Sequence, residues 1–215
     1  MKLFLDTADV DAVRRAHDTG LLDGVTTNPA KIAESGRPFL EVVREIASIT
    51  PGPVSAEAMS ATADALVDEA VRLASLAPNI AVKLPMNVEG LKACRVLESE
   101  KNVKTNVTMI FSAPQAFLAM KAGATFVSIV LSRLDAVGNE SEILVNDAAA
   151  IKQTYDFASE IIAGSVKTTS QVMACLRAGI DIATVGESVF FQLFRHPLTD
   201  VGLAQFAEVW KGVKA

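Results

Sequence analysis

Half of the 215 residues are apolar, enough for one sizeable core, and the length argues for a single domain over residues 1–215 rather than two. A formal net charge of -5 weighs against nucleic acid or an anionic membrane surface as the main partner, because both call for a basic face. No apolar run approaches the ~20 residues that span a bilayer, and Asp6, Asp9 and Asp11 follow the first short apolar run where a secretory leader would stay apolar, so the expectation is a soluble cytoplasmic protein.

In chain order, short apolar runs alternate with longer amphipathic stretches. The short runs are KLFLDT (2–7), GVTTN (24–28), VSAEA (54–58), IAVKLP (80–85), VKTNVTMI (103–110), TFVSIVL (125–131), EIIAGSV (160–166) and DIATVG (181–186). Helical spacing fills the intervals, for example Ala61 to Leu76, Val88 to Leu97, Ala113 to Ala122 and Ser170 to Leu176. Near-continuous apolar strands indicate burial on both faces, as in a parallel sheet covered by helices. Eight strand–helix cycles averaging roughly 25 residues match an α/β fold of the (β/α)8 barrel type. An open doubly wound sheet is weakened by the lack of a G-x-G-x-x-G turn after the first strand. The tail adds a helix over about 198–213, in which Val201, Leu203, Phe206, Val209 and Trp210 make an apolar stripe that should pack on the barrel or on a neighbouring subunit.

In such a barrel, functional groups sit at the C-terminal strand ends. There the sequence places Asp6, Thr26 with Asn28, Glu57, Lys83, Asn106 with Thr108, Ser128, and Ser165 with Lys167. Lys83 is the sharpest case, because Ile80-Ala81-Val82 precede it and Leu84-Pro85 follow. Burial in apolar surroundings would strip solvation from its ammonium and free the amine as a nucleophile. The bland alternative is a lysine that snorkels out to solvent. Together with Asp6, Glu57 and Thr108 around one mouth, an amine and two carboxylates suffice for imine chemistry on a carbonyl substrate.

Arg133, after the sixth strand, and Ser165 with Lys167, at the seventh, suit an anion in the region where barrels often hold phosphate. The competing reading for Arg133 is a surface pair with Asp135. His17 and His196 fall in a helix and in a turn before Pro197, away from the strand ends. Cys94 and Cys175 read as small buried helix residues. No His/Cys/carboxylate group has metal-ligand spacing, so no metal is expected.

At these residues the chain resembles a known family. The runs LDTADV, GVTTNPA, VSAEA, VKLP, KTNVTMIFSAPQA, AGATFVS and AGSVKT, ending in HPLTDVGLAQFAEVW, are similar to the transaldolase family. The likeness is to its small bacterial and archaeal branch, which includes the fructose-6-phosphate aldolases. The resemblance implies Lys83 as the Schiff-base residue, Asp6 as the acid/base for C3–C4 cleavage, and Glu57 with Thr108 as holders of a proton-shuttling water. It further implies Thr26, Asn28, Asn106 and Ser128 as ligands of the dihydroxyacetone hydroxyls, and Arg133, Ser165 and Lys167 as ligands of the phosphate. The implied substrates are sugar phosphates, with no cofactor and no metal, in a homo-oligomer (a pentamer or decamer). The sequence departs from the pattern after the sixth strand. Where the family reads S-P-F-V-G-R, or A-P-Y-V-N-R in the aldolase branch, this chain has Ser128-Ile129-Val130-Leu131-Ser132-Arg133. Glu57 stands where the aldolase branch carries Gln. Transfer of a dihydroxyacetone unit from fructose 6-phosphate to an aldose phosphate is therefore the expected activity. The alternatives are an aldolase releasing dihydroxyacetone, a transaldolase for another anionic sugar such as a sulfonated one, and a non-catalytic sugar-phosphate-binding barrel.

Overall fold

A computed structural model describes residues 1–213. Eight strands run parallel in sequence order and close into a barrel: β1 (Lys2–Asp6), β2 (Gly24–Thr26), β3 (Val54–Glu57), β4 (Ile80–Pro85), β5 (Thr105–Ile110), β6 (Phe126–Val130), β7 (Glu160–Val166) and β8 (Ile182–Val185). Each lies within one of the eight apolar runs. The covering helices are α1 (Val10–His17), α2 (Pro29–Ser35), α3 (Phe39–Ile49), α4 (Ala63–Ala74), α5 (Val88–Glu100), α6 (Ala113–Lys121), α7 (Leu131–Asp135), α8 (Ser141–Thr154), α9 (Thr169–Ala178) and α10 (Glu187–Gln192), followed by α11 (Pro197–Trp210). This is a TIM barrel with an additional C-terminal helix. Several helices start where side chains take up free backbone N–H groups: Asp9 caps α1, Asn28 caps α2, Asn87 caps α5, Ser112 caps α6 and Thr168 caps α9.

Side chains alternate along a strand, so every second residue faces the barrel axis. Phe4, Ala81, Phe126, Ile162 and Ile182 form a separate, fully buried apolar cluster that plugs the interior. Gly24 completes this row, because a Cβ there would lie 2.5 Å from Cζ of Phe4 and 2.7 Å from the Pro53 carbonyl. The outward row packs under the helices as the main core, with Leu5, Val25, Val54, Val82, Val107, Val127, Ile161 and Ala183 at or near zero exposure.

Two strands break the period. β5 has a bulge between Val107 and Ile110, with Met109 at φ +64°, and β7 has one between Ala163 and Val166, with Ser165 at φ +55°. Bulges re-aim side chains at the rim of a sheet, and both occur at the C-terminal end of the barrel.

Of the two packing options for the C-terminal stripe, the structure excludes the barrel. No residue of α11 is buried, and Phe206, Val209 and Trp210 are each at least 70% exposed. The last position on the helical ring is already taken by α10, whose Val189 and Phe190 are buried next to β1. The helix ends at Trp210, slightly short of the expected 213. None of the helices among the described residues is long and apolar enough to cross a membrane.

Candidate active site

The mouth of the barrel is one row above the plug. Moving two residues along from Phe4, Gly24, Ala81, Phe126, Ile162 and Ile182 gives Asp6, Thr26, Lys83, Ser128, Gly164 and Thr184, and all six line one cavity of about 440 Å³. Glu57, Thr108, Asn28, Val130, Arg133, Ser165 and Lys167 complete most of its wall. Of the eleven residues expected from sequence, ten line this cavity.

Asn106 is the exception. It is fully buried beneath the cavity, where its amide nitrogen donates to Ser55 Oγ at 2.9 Å and its oxygen accepts from Ser128 Oγ at 2.7 Å. Its hydrogen bonds fix Ser128 from below.

Lys83 is 8% exposed, and its strand neighbours are apolar as its sequence context implies. The amine itself is not in apolar company. Nζ donates to the Thr27 carbonyl at 3.0 Å and lies 3.8 Å from Glu57 Oε2. The apolar surroundings expected for it are thus corrected by the inward parity, since β3 sets Glu57 beside Lys83 in register. Lys83 does not snorkel to bulk solvent; it ends at the cavity floor. Asp6 accepts from Thr26 Oγ1 at 3.3 Å, and the Thr26 and Thr184 hydroxyls are 2.7 Å apart. Asn28 spends its side-chain oxygen on the Lys31 N–H at the start of α2, at 3.1 Å, which leaves its amide nitrogen for the cavity. Among the described residues no buried side-chain polar atom is without a partner, so this polar floor is pre-organised.

The far side of the mouth is cationic. Arg133 stands in the last turn of α7, and Lys167 follows β7. Arg133 does not pair with Asp135 among the described residues. Its Nη1 instead contacts Met109 Sδ at 3.6 Å, across the β5 bulge. Asp135 is engaged elsewhere: burial pulls its carboxyl up, but the Ser141 amide and hydroxyl and the Gln171 amide outweigh this and hold it below its ordinary value. No group of three or more His, Cys, Asp and Glu side chains suited to a metal ion is found among the described residues. His17 lies on α1, and His196 is consumed in capping α11, Nδ1 accepting from the Leu198 N–H at 3.2 Å. Cys94 and Cys175 are fully buried, and burial pushes each thiol up to about 11.

Sequence reasoning passed over Thr184, Gly164, Ser55, Lys31, Glu34 and Met109 in or under this cavity. For Thr184 the signal was present, as the single polar residue between Ile182 and Val185. For Met109 there was none, because the bulge that turns it outward has no periodic signature.

The fold and the titratable groups gathered at its C-terminal mouth define the class: a TIM-barrel enzyme. Solved structures with the same fold include inosine 5′-monophosphate dehydrogenase from Legionella pneumophila, with TM-score 0.61 and 12% identity over 88% of this chain and 58% of that one. Another is orotidine 5′-monophosphate decarboxylase from Methanocaldococcus jannaschii, with TM-score 0.58 and 15% identity over 88% and 90%. At such identities the likeness concerns the fold alone. The sequence is more specific. The transaldolase/fructose-6-phosphate aldolase family matches residues 3–214. A probable transaldolase of Geobacter metallireducens is 49% identical over 99% of both chains, and probable transaldolase 1 of Listeria monocytogenes 47% over 100% of both. A probable transaldolase of Desulforamulus reducens is 50% identical over 98% of this chain and 97% of its own. The chain belongs to the transaldolase/fructose-6-phosphate aldolase family.

Proposed function

We propose that this chain is a class I transaldolase that moves a dihydroxyacetone unit from fructose 6-phosphate to an aldose phosphate such as erythrose 4-phosphate. The observation that carries the reading is Lys83: one amine at the floor of a polar cavity, held between the Thr27 carbonyl and Glu57. In this reading Nζ gives up a proton through the water held by Glu57 and Thr108 and attacks the ketose C2 carbonyl. The same water returns a proton to the carbinolamine hydroxyl, which leaves as water as the imine forms. Asp6 takes the C4 hydroxyl proton as the C3–C4 bond breaks, and returns it when the enamine adds to the acceptor. Thr26, Asn28 and Ser128 bind the hydroxyls of the retained unit, and Arg133, Ser165 and Lys167 bind the phosphate.

Transfer is favoured over release by two positions. A transferase must keep water from protonating the enamine before the aldehyde arrives. Val130, in the cavity wall where the aldolase branch has a tyrosine, supplies no proton donor, and Glu57 replaces that branch's glutamine. The exposed apolar face of α11 supports a homo-oligomer, because an apolar patch of this kind is normally covered.

The test is incubation with fructose 6-phosphate and borohydride, followed by intact mass measurement, alongside rates with and without erythrose 4-phosphate. The reading expects a covalent adduct and much faster transfer than release. Fast cleavage without acceptor would make the chain an aldolase, and no adduct at all would leave a non-catalytic sugar-phosphate-binding barrel.

A further inference from the structure

Arg133 and Lys167 both line the cavity, but they come from different connections and both are exposed. Arg133 belongs to α7, a helix of five residues, and Lys167 to the loop between β7 and α9. Two long cations on separate exposed segments meet one anion only if something holds those segments together. Gln171, half-buried at the start of α9, is placed between them.

Its side-chain oxygen accepts from the backbone N–H groups of Lys167 at 2.8 Å and Thr168 at 3.3 Å. Its amide nitrogen turns the other way, donating to Asp135 Oδ2 at 2.7 Å and to Ser132 Oγ at 3.2 Å. Ser132 and Asp135 flank Arg133 on α7. Asp135 is in turn anchored to the start of α8 by the Ser141 N–H at 3.0 Å and the Ser141 hydroxyl at 3.1 Å.

Half of this arrangement is ordinary. Gln171 and Thr168 form a capping box at the start of α9, and that motif needs only an acceptor three residues after the cap, so Glu serves as well as Gln. The amide nitrogen is surplus to the cap, and it makes the two shorter contacts with α7; the side-chain oxygen adds only a longer one, accepting from Ser132 Oγ at 3.4 Å.

We propose that Gln171 is a positioning residue of the anion end of the site: it ties the Lys167 loop to α7, so that Lys167 and Arg133 converge on one charged group of the substrate. The proposal rests on the reading of Arg133, Ser165 and Lys167 as the phosphate ligands. It explains why α7 can be so short and still present an arginine in a fixed place, since its hydrogen bonds to Gln171 and Ser141 replace the packing that a longer helix would have.

Gln171→Glu isolates the tie. It retains the acceptor for the Lys167 and Thr168 N–H groups and for the Ser132 hydroxyl, removes the N–H donor to Asp135 and Ser132, and sets a carboxylate against Asp135. Its KM for fructose 6-phosphate should rise roughly tenfold, the size of one well-placed hydrogen bond, with a much smaller change in kcat and in the KM for plain fructose. Adding Asp135→Asn reverses the polarity of the pair. The introduced asparagine then donates through Nδ2 to the introduced carboxylate, its Oδ1 still accepts from the Ser141 N–H, and the low KM should return. Asp135→Asn alone places two amide donors face to face, cuts the same tie from the α7 side, and carries the test if Gln171→Glu does not fold. Equal KM changes for phosphorylated and plain donors, or a double variant no better than the single ones, would overturn the proposal. Arg133→Ala in the same series separates the two levels. If it weakens both donors equally, the phosphate reading itself fails, whereas if it discriminates and Gln171→Glu does not, only the role of Gln171 falls.

Discussion

Replacing Lys83 by methionine tests both the chemistry and the electrostatics of the cavity floor. In an apolar strand the swap would be nearly silent, because the two side chains have similar volume. The structure makes it costly. A thioether in place of the amine would leave the Thr27 carbonyl without its 3.0 Å donor and Glu57 without the cation 3.8 Å away. Breaking a fully buried pair costs about 3–5 kcal/mol, but the two side chains keep 11% and 18% of their surface and open onto the cavity, so water recovers part of this. A loss of about 2 kcal/mol is reasonable, or roughly 4–8 °C in Tm for a domain of this size. Adding Glu57→Gln removes the stranded carboxylate and should recover most of the stability without any activity. The assay is thermal unfolding of the four members of the cycle, with borohydride trapping of each in the presence of fructose 6-phosphate. Labelling of Lys83→Met at the wild-type level would refute Lys83 as the nucleophile. An unchanged Tm would refute the claim that Lys83 and Glu57 stabilise one another.

Four further outcomes are expected. Arg133→Ala should weaken fructose 6-phosphate by roughly 30- to 1000-fold, the loss of a charge-assisted contact of about 2–4 kcal/mol, while plain fructose loses far less; competition by inorganic phosphate against both donors measures this. Cys94 and Cys175, buried and shifted up to about 11, should stay unreactive to an aromatic disulfide at pH 8 until the protein unfolds. Their thiols are raised above the ordinary 9.0, so the folded state disfavours the thiolate, and stability should be complete below pH 9 and fall between about 9 and 11, as urea titration at several pH values would show. Phe206→Glu with Trp210→Glu, on the exposed face of α11, should reduce the assembly seen by analytical ultracentrifugation without lowering the Tm of the barrel itself; no change in mass would show that this face is not the interface.

The barrel strands are legible in sequence because they are buried on both faces. In such a run a polar side chain costs free energy unless something satisfies it, so each one has a reason to be there. That logic finds Asp6, Lys83 and Ser128, which stand two residues beyond Phe4, Ala81 and Phe126 and so rise one row above the plug. It does not say which reason applies. Asn106 has the same parity, yet its reason is to hold Ser55 and Ser128, and only the depth of its row separates it from the cavity wall. Strand periodicity also presumes an unbroken pleat. At Met109 and Ser165 the backbone takes a positive φ, so side-chain direction beyond those points cannot be counted from the residues before them. On the helices the inference weakens further, since a polar residue at the start of an amphipathic helix calls for no special explanation, and nothing in the spacing of Gln171 from Thr168 signals more than a helix cap. The α11 stripe marks the opposite limit. Its apolar character is plain from Val201 to Trp210, but a hydrophobic face states only that it will be covered, and the ring position it would have used already belongs to Val189 and Phe190. Sequence therefore reports the rows of the barrel well, because each row is set by the chain's own pleat, and reports poorly whatever depends on a second segment arriving from elsewhere.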